Sequence, residues 1–239
     1  MISRPTRVLI ALAGLGVLSL PAFAQGYGNY SGRGAGELRL HVGDFRPDGK
    51  SSYWDGIRHD FTNSDPSDFE APNFGLDYLL PLNDHMSVMF SGNWYEGNTT
   101  NSYRDFLDNH NDRIRHDTRL DIASGTVGLV FHLAPLSAPI QPYVGAGGGA
   151  YSYRLEEHGD FIDFGQTSLP VFRDRLTTSD TAFGYYFLAG LEFPVSRRVS
   201  LFAEGKWTRV KADLKDDFDG LGRLDLGGRE IAGGISFGL

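Results

Sequence analysis

Residues 74–94 read FGLDYLLPLNDHMSVMFSGNW. Phe74, Leu76, Tyr78, Leu80 and Leu82 share one parity, with Asp77 on the other; beyond Asn83-Asp84, Met86, Val88, Phe90, Gly92 and Trp94 alternate against Ser87, Met89, Ser91 and Asn93. Period-two alternation sends successive side chains to opposite faces of a strand, and an Asn-Asp pair between two such runs supplies turn chemistry. The stretch therefore reads as a β-hairpin with one apolar face.

Working outward, the same alternation recurs until eight segments are found. Segment one, residues 37–45, sets Leu38, Leu40 and Val42 against Arg39 and His41. The hairpin supplies segments two and three, and segment four carries Ala123, Val127, Leu129, Phe131 and Leu133 on one face. Segment five, residues 143–153, reads YVGAGGGAYSY. Segment six alternates Phe183, Tyr185, Phe187, Ala189, Leu191 and Phe193 with Gly184, Tyr186, Gly190 and Glu192. Segment seven sets Val199, Leu201, Ala203 and Trp207 against Glu204 and Lys206, and segment eight sets Ile231, Ile235, Phe237 and Leu239 against Glu230, Ala232 and Ser236.

Between segments, long polar stretches (residues 46–72, about 96–119, about 154–179, about 211–227) alternate strictly with short turns (83–84, 134–139, 194–198). An even number of strands with short connections at one end and long ones at the other is the pattern of an all-β, eight-stranded antiparallel up-and-down transmembrane barrel. The long connections are expected outside the cell and the short turns in the periplasm. A soluble barrel would turn the apolar faces inward and leave Glu192, Glu204, Lys206 and Glu230 outside beside Gly and Ser. It would also give no reason for aromatics near both strand ends, where a membrane barrel needs interface girdles. Phe74, Trp94, Tyr143, Tyr151, Tyr185, Phe193, Trp207 and Phe237 are the expected lipid-interface aromatics.

The chain's start fits export. Arg4 and Arg7 precede an apolar run from Val8 to Leu20, and Ala22-Phe23-Ala24 provides a small-x-small site, so residues 1–24 read as a signal peptide cleaved after Ala24. Residues 25–36 form a short Gly-rich lead, and the barrel domain is expected over residues 37–239. Losing Arg4 and Arg7 takes the formal charge from -8 to -10, which speaks against a nucleic-acid partner. There is no cysteine, so stability must come from packing and sheet closure.

An eight-stranded barrel has an interior just wide enough to be filled by side chains. The residues opposite the apolar faces are Arg39, His41, Asp77, Glu192, Glu204, Lys206 and Glu230, which are expected to form a luminal ion-pair network, because unpaired charges there are costly. Segment five supplies a shallow wall against which they lie. Its own parity stays open: with Tyr143 and Tyr151 toward lipid, Val144, Ala146, Gly148 and Ala150 face in, whereas the opposite parity turns Gly145, Gly147 and Gly149 in.

Catalytic chemistry finds little support. His59, His110, His116 and His158 fall in expected loops, His85 abuts a turn, and His41 and His132 have no neighbouring Ser or Thr in a catalytic pattern. Asp213, Asp216, Asp217 and Asp219 with Gly220 miss the spacing of a calcium loop. Neither a cofactor nor a metal is expected. Tyr53, Trp54, Phe61, Phe69, Phe161, Phe164 and Phe172 exceed what flexible loops need and are expected to pack the outer loops together or to form a contact surface.

The run Pro142-Tyr143-Val144-Gly145-Ala146-Gly147, the hairpin GLDYLLPLNDHMSVMFSGNWYEG, the strand FAEGKW and the C-terminal IAGGISFGL resemble the small outer-membrane β-barrel proteins of Gram-negative bacteria, the group of OmpA-, OmpX- and OmpW-type barrels. The chain departs from that group in ending on Leu239, with Phe237 two residues before, rather than on an aromatic. The resemblance implies a monomer in the cell outer membrane, in contact with outer-membrane lipids and lipopolysaccharide and inserted through its C-terminal strand. It implies a structural or surface-interaction role. A narrow channel for small or hydrophobic solutes, OmpW-like, is the alternative, and a lipid-modifying enzyme the third reading.

Overall fold

The computed structural model describes residues 36–108, 110–135 and 138–239. The signal expected over residues 1–24 and nearly all of the Gly-rich lead lie outside the described residues. Eight long strands build the wall: β1 (Glu37–Pro47), β2 (Ala71–Asn83), β3 (Met86–Leu107), β4 (Arg113–His132), β5 (Gln141–Ile162), β6 (Val171–Pro194), β7 (Val199–Asp213) and β8 (Gly228–Gly238). Each pairs antiparallel with the next, and β8 returns to β1 in a register running from Glu37↔Gly238 to Pro47↔Gly228. Closure satisfies the backbone of every strand by its neighbours, which a hydrocarbon environment demands.

Outward-facing apolar residues form a continuous exposed band. Phe183 and Ile231 are 81% and 78% exposed, and Leu40, Leu76, Phe90, Val127, Leu129, Phe187 and Leu201 are about half exposed. Such a surface is unfavourable in water and favourable against acyl chains. Short turns join β2 to β3, β4 to β5 and β6 to β7 at one end.

At the other end the expected long loops divide into two kinds. Residues 48–70 carry a helix, α1 (Ser52–Asp60), and a short strand piece, Phe61–Thr62, laid on β3; residues 214–227 carry Arg223–Asp225, laid on β7. The stretches about 96–119 and 154–179 are not loops. Their strands continue, pairing Thr99↔Thr118 and Glu157↔Leu176, and leave only residues 108–112 and 163–170 as connections. β3 and β5 have 22 residues and β6 has 24, where about 10 suffice to cross a bilayer. The physical reason is a change of medium. Above the apolar band the outward residues (Glu96, Arg119, Arg154, Arg175) meet water, while the inward ones (Tyr95, Leu120, Ile122, Tyr153, Leu155) are buried, so the segments look polar without losing their alternation.

The parity of β5 is the second correction. Tyr143 and Tyr151, expected at the lipid interface, are buried inside the barrel at 1% and 5% exposure, and Val144 and Ala146 face out. The partner strands decide it. A Cβ at Gly190 of β6 would strike the Tyr143 ring, and one at Gly147 or Gly128 would strike the Tyr186 hydroxyl, so these glycines are the space that two inward tyrosines occupy. Phe74, Trp94, Tyr185, Phe193 and Trp207 do face outward, and Phe237 is half-buried.

Candidate functional site

The lumen is filled in tiers. Nearest the short turns, Arg39 is wholly buried: its Nε donates to Glu37 Oε1 at 2.6 Å and its Nη2 to Glu192 Oε2 at 2.7 Å. The guanidinium carbon also stands 4.9 Å from the ring centroids of both Tyr143 and Phe202. A planar cation held by two carboxylates in its plane and two aromatic rings has little freedom to move. The Tyr143 hydroxyl donates to Glu204 Oε2 at 3.0 Å, linking this tier to the next.

In the second tier His41 Nδ1 lies 3.2 Å from Asp77 Oδ2, and His41 Nε2 lies 3.2 Å from Asn93 Oδ1 and 3.9 Å from Glu230 Oε1. Lys206 Nζ stands 3.9 Å from Glu230 Oε2, donates to Asn93 Oδ1 at 3.4 Å, and lies 5.5 Å from the Tyr186 ring centroid. All seven charged residues singled out from the sequence thus point into the barrel, and the structure gives their partners. Arg39 pairs with Glu37 and Glu192, Lys206 with Glu230, and Glu204 is reached through Tyr143. Glu37, Asn93 and Phe202 were missed, although Glu37 shares the parity of Arg39 and Asn93 the inward parity of its strand.

Above Lys206 and Glu230 a cavity of about 30 Å³, bounded by Asn73, Asn93 and Tyr151, is room on the scale of one water molecule. Higher still the interior turns apolar. Phe45, Tyr95 and Ile122 lead to Trp54 and Phe69, both fully buried, whose rings meet edge to face at 5.0 Å. Trp54 Nε1 donates to the Asp225 carbonyl at 3.1 Å, and the Tyr53 hydroxyl donates to Glu157 Oε1 at 2.7 Å. Ser51, just before α1, spends its hydroxyl on the Asp225 N–H at 3.1 Å. These bonds stitch the helix over the barrel mouth. Burial raises the Glu157 carboxyl above the ordinary range, and burial with the Glu157 charge raises the Tyr53 hydroxyl.

Toward the tips of β3–β6, His116 sits in an aromatic nest, stacked on Phe161 at 5.2 Å and edge-on to Phe61 at 4.6 Å, with Tyr103 at 6.1 Å. Neither ring nitrogen has a hydrogen-bond partner among the described residues, and burial lowers its pKa to about 4. Of the loop aromatics, Tyr53, Trp54, Phe69 and Phe161 are buried and Phe61 is partly so, whereas Phe164 and Phe172 are exposed. One histidine does have a hydroxyl neighbour that the sequence did not reveal: Ser87 Oγ lies 3.4 Å from His132 Nε2. Both are buried, with Val130 and Met89, toward the short-turn end of the lumen.

A closed ring of eight antiparallel strands has known counterparts. The model of the outer membrane protein β-barrel domain matches residues 10–235. The chain belongs to that family. It is a protein of the cell outer membrane. Among solved structures it is similar to Neisserial surface protein A, at 12% identity with a TM-score of 0.50, over 87% of this chain and 99% of that one. It is also similar to Ail, the attachment invasion locus protein of Yersinia pestis (16% identity, TM-score 0.39, 85% and 100% covered). The N-terminal barrel of Pseudomonas aeruginosa OprF matches at 13% identity and a TM-score of 0.35, over 84% and 98%. No curated protein matches the chain. At these identities the likeness is one of fold.

Proposed function

We propose that this outer-membrane barrel is a closed scaffold that works as a monomer and acts through its outer head, the part of β3–β6 and the α1 segment that stands above the membrane. The observation that carries the reading is Arg39. Its side chain, clamped between Glu37 and Glu192 and between the rings of Tyr143 and Phe202, occupies the lumen at its inner end, and removing it from that clamp would take a cation from two buried carboxylates. A solute path would need that tier to open. The head, by contrast, presents exposed apolar side chains at its hairpin tips, Leu107, Phe164 and Phe172, on an apolar-cored support that holds them in place. Such a surface suits contact with another macromolecule.

Single-channel recording of the refolded protein in a planar bilayer tests the closed lumen, with Lys206→Ala alongside and insertion checked by heat-modifiable gel mobility. A silent bilayer for both is expected. Reproducible conductance steps whose ion preference changes in Lys206→Ala would replace the scaffold reading by a conduit lined by Lys206 and Glu230.

A further inference from the structure

Above the membrane the wall is a sheet of four strands, β3 to β6, with two edges that the barrel does not close. β3 pairs with β2 only as far as Asn73↔Tyr95, and β6 with β7 only from Gly184↔Val210. A bare edge carries unpaired N–H and C=O groups that invite another strand, so each edge needs a cover. The β6 edge is covered by the segment after β7: the Thr177 N–H donates to Asp217 Oδ2 at 2.8 Å, and Lys215 pairs with Asp180 at 2.7 Å.

The β3 edge is covered by residues 61–63. Phe61 and Thr62 stand opposite Tyr103 and Ser102, Thr62 Oγ1 donates to the Ser102 carbonyl at 3.2 Å, and Thr99 Oγ1 donates to the Asn63 carbonyl at 3.2 Å. Arg104 Nη2 donates to the Phe61 and Arg58 carbonyls at 2.8 and 3.1 Å. The apolar anchor of this short cover is the Phe61 ring, edge-on to Tyr103 and His116 at 4.6 Å each. Beneath the cover, then, lies a buried histidine whose ring nitrogens have no hydrogen-bond partner among the described residues. A neutral imidazole tolerates that seat, whereas an imidazolium needs water or an acceptor. The charged and titratable side chains on the elements around it are Tyr103 and Arg104 on β3, Arg115 and Asp117 on its own strand, Glu157 and His158 on β5, and Asp60 beside Phe61. Glu157 is taken by the Tyr53 hydroxyl, and Asp117 favours the imidazolium less than burial opposes it.

We propose that residues 61–63 are an acid-released cover, and that the β3 edge beneath them, Thr99 to Arg104, then takes up an extended acidic peptide segment as an added strand. The cover itself shows that a strand fits this edge. Charge complementarity selects an acidic segment: opening frees Arg104 from the two carbonyls it holds and places an imidazolium at the floor of the site. The β6 edge, whose cover contains no histidine, is the internal comparison. The proposal rests on the reading of the head as the acting part of the protein. With His116 near pKa 4 when covered and returning toward 6.5 when exposed, opening should become up to roughly thirtyfold more favourable from about pH 7.5 to about pH 5.

The test uses the full chain refolded in neutral detergent, with fluorescent peptides of alternating Thr and Glu or of alternating Thr and Lys, at both pH values. Thr62→Cys/Ser102→Cys, in a chain without cysteine, ties the cover down through a disulfide that reductant removes. Hydrogen exchange of Thr99 to Arg104 should quicken at the lower pH in wild type and in the reduced double variant, and stay slow in the oxidised form and in His116→Phe. The Thr-Glu peptide should bind at the lower pH, and roughly tenfold or more weakly at the higher pH or after oxidation. Unchanged exchange, no binding of the Thr-Glu peptide at the lower pH, equal binding in oxidised and reduced protein, His116→Phe behaving as wild type, or preference for the Thr-Lys peptide would each overturn the proposal. Where the disulfide does not form, His116→Phe against wild type decides. Such a failure beside a silent bilayer strikes the edge site alone and leaves the tips of the head as the contact surface.

Discussion

Along β3 and β4 the wall passes through two regions that use the same strands with opposite polarity. In the band around Phe90, Val127 and Leu129 the apolar side chains point out and the interior holds Asp77, Asn93, Lys206 and Glu230; farther up, Glu96 and Arg119 point out and the interior holds Tyr95, Leu120 and Ile122. The solvent sets the outward side in each case, lipid below and water above. The interior then takes what remains, ion pairs in the band and an ordinary hydrophobic core in the head. The two interiors should also fail differently, because a buried charge cluster fails by losing a partner and an apolar core fails by gaining a charge.

The largest expected effect is in the band. Arg39→Ala takes a buried cation from both Glu37 and Glu192, and should cost about 3–5 kcal/mol. The denaturant midpoint of the micelle-bound barrel reads this, and an unchanged midpoint would mean that the tier does not hold the barrel together. Protease resistance of the head should survive in conditions where the variant barrel remains closed.

Next comes acidification of the head. His116 is neutral in its nest with a pKa near 4, below the ordinary 6.5, so the unfolded head binds a proton first as pH falls. Stability contributed by the neutral ring is complete above pH 6.5 and is lost between 6.5 and about 4, by on the order of 3 kcal/mol in total. Asp117 nearby opposes the depression, and Glu157, whose carboxyl is raised by burial, gains stability over part of the same acid range and works against the loss. The difference between wild type and His116→Phe isolates the histidine. Hydrogen exchange at the outer ends of β4 and β5 should quicken on acidification in wild type, and less so in His116→Phe; identical profiles would remove the histidine from the account.

The smallest effect is on the outer surface of the head. Glu156→Gln removes the partner of Arg154 and Arg175 where water screens all three, and should shift the unfolding midpoint by no more than about 1 kcal/mol. A shift that persists at high salt would show that this pair is less solvated than its exposure suggests.

Eight strands, their order, the short-turn end and the inward set of charges were legible in the chain, because period-two alternation is a local property and each strand carries its own copy of it. Glu192, Lys206 and Glu230 could be placed in the lumen from their neighbours alone. Three things required the closed structure. The parity of β5 was undetermined because one face carries Tyr143, three glycines and Tyr151 and the other Val144, two alanines and Gly148, which gives no decisive contrast; the room left at Gly190 of β6 admits the Tyr143 ring to the interior. The height of β3–β6 was hidden because the outward medium changes from lipid to water part-way along each strand. And Arg39 found Glu192, 153 residues away, because which luminal charges meet depends on how the ring closes, a quantity that no single strand contains.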